Sequence, residues 1–194
     1  MLSSAGGIAI IVGGLICLLL VLLGLWLILT YNKLVRQRNQ VDASWAQIDV
    51  QLKRRYDLIP NLVETVKGYA AHEKTTLDAV VQARNTAVAT AGAEPSARVD
   101  AENMVSQTLG RLFALAEAYP NLKANENFQS LQSELANTED KISYSRQFYN
   151  SAVQTYNNAT QTIPSNIIAG MMGFKTRSFF EVAEGERGPV QVRF

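Results

Sequence analysis

The stretch from Ile8 to Tyr31, IAIIVGGLICLLLVLLGLWLILTY, carries no charged residue and is apolar nearly throughout. At about 1.5 Å per residue it reaches roughly 36 Å as a helix, enough to cross about 30 Å of hydrocarbon. As a single segment it can do so only as a helix, whose backbone groups satisfy one another where no water reaches. A cleaved secretory signal would show a basic leader and an apolar core of about 7–15 residues. Here MLSSAGG, with no Lys or Arg, precedes a longer run, and Ile16 before Cys17 is not the small residue a lipoprotein signal needs. An uncleaved membrane helix is the reading. Lys33, Arg36, Arg38, Lys53, Arg54 and Arg55 follow it, and no side-chain cation precedes it. The positive-inside bias therefore predicts a single-pass protein of the cell membrane, with its N-terminus outside and its C-terminal domain cytoplasmic. Within the span Ala5, Ala9, Gly13 and Cys17 fall four apart, a candidate helix-packing ridge of small residues.

Roughly 160 residues remain after the span, enough for one domain with its own core. The 18 Lys and Arg nearly balance the 17 Asp and Glu, so no basic excess points to nucleic acid. Cys17 is the only cysteine and His72 the only histidine. An internal disulfide and a cysteine-based metal site are thereby excluded, and most metalloenzyme and nucleophile–histidine chemistries are removed.

Four helices are predicted. Apolar residues at Leu34, Val41, Trp45, Ile48 and Leu52 keep helical spacing, and no Gly or Pro interrupts between Thr30 and Ile59. The membrane helix is expected to continue as one rod to about Tyr56, with Trp45 buried midway. Pro60 is expected to end it and, with Asp57 as cap, to open a second helix over 58–90. That helix offers Leu62, Val66, Tyr69, Leu77, Val80 and Arg84 at helical intervals. After the linker AGAEPSA, capped by Ser96, a third helix carries Val105, Leu109, Leu112, Ala116 and Tyr119 and stops at Pro120. A short polar connection, 121–126, leads to the last. There Phe128, Leu131, Leu135, Thr138, Ile142, Ser145, Tyr149, Ala152 and Tyr156 form a seam with a period near 3.5. No strand pattern is found. The expected fold is all-α: a transmembrane anchor (1–31), an antiparallel up-down-up-down four-helix bundle (32–164) and an irregular C-terminal tail (165–194). Four apolar stripes complete such a core, so Ile167, Ile168, Met171, Met172, Phe174, Phe179 and Phe180 are surplus to it. They are the candidate residues for docking on a partner or the membrane, and deleting 165–194 is expected to leave the bundle folded. In an up-down-up-down order the tail begins on the membrane side.

Little in the chain carries chemistry. His72-Glu73 would need a second histidine at position 76 to hold zinc, and Thr76 stands there. His72 is read instead as an exposed helix residue. No glycine cluster forms a phosphate-cradling loop before a helix, and no cofactor or metal is expected. Ser–Lys pairs remain open by counting alone. Glu139 with Arg146, and Asp49 with Arg54 and Arg55, could shape a functional site but read rather as ion pairs that set helix register or as charges on a solvated face.

The runs QIDVQLKRRYDLIPNLVETVKGYAAHE (Gln47–Glu73), AYPNLKANENF (Ala118–Phe128) and SRQFYNSAVQTYN (Ser145–Asn157) closely resemble the LemA family. Tyr31-Asn32, Pro164, Phe174 and Phe179-Phe180 are similar too. The resemblance implies a small bacterial membrane protein with one N-terminal span, an outside N-terminus and an antiparallel helical bundle in the cytoplasm. No catalytic residues come with it. Family members are associated with magnetosome membranes in some bacteria and lie beside membrane-protease genes in others. That implies, by analogy, a scaffold or adaptor role.

The expected function is a membrane-anchored, non-enzymatic scaffold or adaptor that shows a cytoplasmic bundle to partner proteins. Its partners would be the lipid bilayer and other proteins, such as membrane proteases or related membrane proteins, with no nucleic acid. The alternative is a self-assembling homo-oligomer that coats or shapes membrane. A hydrolase with an unfamiliar site is a distant third. An adaptor should be small in solution, a coat large and ordered.

Overall fold

The computed structural model describes residues 2–181, with side chains from residue 12 onward. The elements are α1 (Leu2–Lys67), α2 (Lys74–Ala89), α3 (Pro95–Ala116), α4 (Pro120–Lys123), α5 (Glu126–Gln161) and α6 (Ser165–Met171). No strand occurs among the described residues. The chain forms two compact units. The first takes Met1–Val41 and Gln154–Arg177, the second Asp42–Val153 and the chain from Ser178. α1 and α5 each supply residues to both.

α1 is the one helix among the described residues long and apolar enough to cross a membrane, and none of its most apolar stretch is buried. It does not end before Pro60 but runs on to Lys67. An internal proline leaves the carbonyl four residues earlier without its helical donor. Here that carbonyl belongs to Tyr56, and Arg84 Nε on α2 donates to it at 3.3 Å. An α2 side chain thus supplies what the ring removes. The break falls instead at Gly68, and α2 starts at Lys74 after a turn that contains His72. His72 is exposed as expected, but in a turn rather than a helix.

Proline opens two helices where its missing N–H costs nothing, Pro95 for α3 and Pro120 for α4. Ser96 therefore lies inside α3 instead of capping it. The connection before α5 is less polar than expected, since α4 places Leu122 fully inside. Asn125 caps α5, its Oδ1 accepting from Phe128 N at 3.0 Å.

The second unit buries Ile48, Leu52, Ile59, Leu62 and Val66 of α1 against Leu77 and Val80 of α2, Val105, Leu109 and Leu112 of α3, and Phe128, Leu135 and Ile142 of α5. Each such side chain contributes about 1.5–3 kcal/mol by leaving water. Phe113 meets Phe128 edge to face at 6.3 Å. In the first unit Leu34 of α1 packs with Ala159 of α5 and with Ile168 and Ala169 of α6, and Trp26 and Phe174 close over them.

Candidate functional site

Three features bear on function: the small-residue ridge, the apolar tail and a buried ionic network. Of the ridge, Ala5 and Ala9 lie outside the described side chains. Cys17 is exposed, and the space a side chain would take at Gly13 is open.

The tail divides. Ile168 is a core residue of the first unit and Phe180 of the second, each 3% exposed. They are thereby withdrawn from the docking set, because each is buried in the core of its unit. Phe174 is half-buried: it meets Tyr31 edge to face at 5.8 Å, and the Arg38 guanidinium lies 5.4 Å from its ring centre. Gly173 sets this up. Its φ of 73° closes α6, with Phe174 N donating to Ala169 O at 2.9 Å, a backbone shape that favours glycine. Asn157 holds the next stretch, donating to Arg177 O at 2.9 Å and accepting from Arg177 N at 2.8 Å. Ile167, Met171, Met172 and Phe179 are exposed, as is Ile163 before α6.

In the second unit Phe180 meets the half-buried Trp45 edge to face at 5.3 Å, and Tyr149 lies at 5.3 Å on the same indole. Trp45 was expected to be fully buried; the tail and the Arg98 guanidinium, 5.2 Å from its ring centre, give it partial cover. Asn150 donates to Phe180 O at 3.1 Å and accepts from Phe180 N at 2.9 Å, while Tyr149 donates to Ser178 O at 2.9 Å. The tail is thus held by its main chain.

Arg55 and Arg98 are both buried. Arg55 pairs with buried Glu102 at 2.5 Å and with Glu139 at 2.7 Å, and donates to Ser106 at 3.0 Å. Arg98 pairs with Asp49 at 2.7 Å, donates to Ala91 O at 2.8 Å and has Glu102 at 3.6 Å. The Tyr56 hydroxyl also donates to Glu102. Burial, and then the hydrogen bond and charge of Glu102, push the Tyr56 phenol well up, so it stays a donor. Charges of both signs alternate here across α1, α3 and α5, as suits a device that fixes helix register. Asp49, Arg55 and Glu139 form ion pairs as expected, but with partners on other helices: Asp49 with Arg98, Arg55 with Glu102 and Glu139, while Arg54 pairs with Glu134. Arg98 and Glu102 were not anticipated. Their signal was in the sequence, for stepping back from Val105 by three and seven lands on them, on the buried stripe of α3. An open groove of about 480 Å³ lies between α1 and α5, lined by Gln47, Val50, Gln51, Asp140, Lys141, Tyr144 and Ser145.

The LemA family model matches residues 44–194, most of the chain. The chain belongs to the LemA family. Among its relatives, this LemA-family chain is 26% identical over 179 residues to "Magnetosome protein MamQ 2" of Paramagnetospirillum magneticum, covering 80% of this chain and 66% of that protein. It is 25% identical over 178 residues to "Magnetosome protein MamQ" of Magnetospirillum gryphiswaldense, with 79% and 65% covered. "Protein LemA" of Metamycoplasma hominis is 24% identical over 156 residues, with 80% of this chain and 71% of that protein covered. The LemA-family chain thus spans slightly less than two thirds of the length of its magnetosome relatives.

Proposed function

We propose that this chain is a membrane-anchored, non-enzymatic scaffold or adaptor that presents a cytoplasmic, antiparallel helical bundle to partner proteins. The observation that carries the reading is α1, which continues as one helix from the apolar run to Lys67 with no linker between. The bundle order is supported by which residues pair. Trp45 with Tyr149 and Arg54 with Glu134 suit opposite runs of α1 and α5; Asp49 with Arg98 and Arg55 with Glu102 suit parallel runs of α1 and α3. The orientation rests on the cations that follow the span. The partner class favoured is another membrane protein, a membrane protease among them. Protease added to intact spheroplasts should spare the chain beyond Lys33. The full-length protein in detergent should run as a monomer or small oligomer. Digestion would overturn the orientation, and large ordered assemblies would replace the adaptor with a coat.

A further inference from the structure

The charges of this chain are segregated. The first unit, residues 1–41 and 154–177, contains Lys33, Arg36, Arg38, Lys175 and Arg177 and not one carboxylate. Taking those five from eighteen Lys and Arg leaves thirteen for the rest of the chain, which holds all seventeen Asp and Glu. The near-neutral total hides a first unit whose charged side chains are all cationic and a net acidic remainder.

The same unit shows an apolar surface at a definite height. On α6, Ile168 and Ala169 face the cluster with Leu34 and Trp26, while Ile167 is 59% exposed and Met171 77%. Met172 and Ile163 beside them are 59% and 83% exposed. Trp26 belongs to the apolar run, and Leu34 lies about 12 Å further along the helix axis. α6 therefore stands against the stretch of α1 where the lipid-length run gives way to Lys33, Arg36 and Arg38. At that height a bilayer presents its headgroup boundary, where an aromatic belt and cations are favoured.

We infer that α6 and its flanks form a second membrane contact: an interfacial helix that sets Ile163, Ile167, Met171 and Met172 into the acyl boundary of an anionic lipid surface. Lys33, Arg36 and Lys175, all exposed, meet the lipid phosphates. Two independent features choose lipid over a protein partner. Lys33, Arg36 and Lys175 make no ion pair among the described residues, and anionic headgroups supply the opposite charge. The exposed apolar face belongs to the helix that packs on α1 beside Trp26, a residue of the apolar run. This inference rests on reading the apolar run of α1 as a span.

Spin labels on single cysteines in the full-length chain test it. In a Cys17→Ser background, Met171→Cys reports on α6, Leu20→Cys on the span and Val81→Cys on the second unit. Accessibility to oxygen and to an aqueous nickel chelate is measured in vesicles of equal parts phosphatidylcholine and phosphatidylglycerol, and in phosphatidylcholine alone. In the anionic vesicles the label at 171 should be reached by oxygen and shielded several-fold from the chelate, as at 20, while that at 81 stays open to the chelate. In phosphatidylcholine alone, chelate access at 171 should rise. A water-exposed label at 20 would sink the span reading itself. With 20 in lipid, chelate access at 171 in both vesicles overturns the interfacial helix, and shielding from both reagents overturns it in favour of a protein cover. Equal lipid burial at 171 in both vesicles overturns the anionic preference. Ile167→Cys repeats the measurement one helical turn away.

Discussion

Replacing Glu102 by alanine removes the one buried carboxylate among the described residues, and both buried arginines lose by it. Arg55 forfeits its 2.5 Å pair and Arg98 its 3.6 Å neighbour, while the Tyr56 hydroxyl loses its acceptor. Stripping one partner from a buried ion pair costs about 3–5 kcal/mol. Arg55 keeps Glu139 and Ser106, and Arg98 keeps Asp49, so the lower end applies, about 3 kcal/mol in all. For a chain of this size about 2–4 °C accompanies each kcal/mol, and Tm should therefore fall by roughly 6–12 °C. The assay is thermal unfolding of the full-length protein in detergent, followed by circular dichroism. The triple variant Arg55→Met, Tyr56→Phe, Glu102→Leu replaces charges and phenol by apolar groups of similar size, and should recover most of the loss. An unchanged Tm for Glu102→Ala would mean that water enters and solvates the arginines. A triple variant as unstable as the single one would show the network to be a net source of stability, and the register argument would fail.

Four further outcomes are expected. Arg84→Ala should cost about 1 kcal/mol by orphaning the Tyr56 carbonyl, and almost nothing in a Pro60→Ala background, where the helix regains its own donor; equal costs in both would break the link. The raised pKa of Tyr56 means its contribution is complete below its usual value of 10.0 and lost as pH rises through the higher folded value. Melting curves should therefore weaken in alkali, and Tyr56→Phe should flatten that limb. Trp45→Ala should cost about 3 kcal/mol in the same melts, the low end for a large aromatic because one side of the ring stays in water. Removing residues 178–194, or Asn150→Ala alone, should lower Tm and red-shift the Trp45 emission as Phe180 leaves the indole; an unshifted spectrum would show that the tail does not cover it.

What the sequence made legible was periodic. Leu34, Val41, Ile48 and Leu52 are buried as their spacing required, and Phe128, Leu135, Ile142 and Tyr149 repeat this on α5. Pro60 misled because a local rule was applied to a position whose remedy is remote: Arg84 lies 24 residues on and is a helix-face residue like many others. The network is half visible: Asp49, Arg55 and Glu139 stand out as charges, whereas Arg98 and Glu102 are hidden by continuing the apolar stripe of α3. The tail reads as surplus only if four stripes close the core. Trp45 needs a further ring beside it, however, and Ile168 completes a separate cluster around Leu34. No period in the sequence announces an extended segment held by asparagine amides.

Those amides carry a consequence for how this region can change over generations. On the tail, Asn157 and Asn150 bond the N–H and C=O groups of Arg177 and Phe180, and Tyr149 bonds the carbonyl of Ser178. Any residue but proline offers the same groups. Side chains at Thr176 and Ser178 are thus free to drift under mutation, while the count of residues between the two asparagine contacts is not. One inserted or deleted codon between Arg177 and Phe180 would misalign a clip or withdraw the ring from Trp45. Substitution should be common in this stretch and length variation rare.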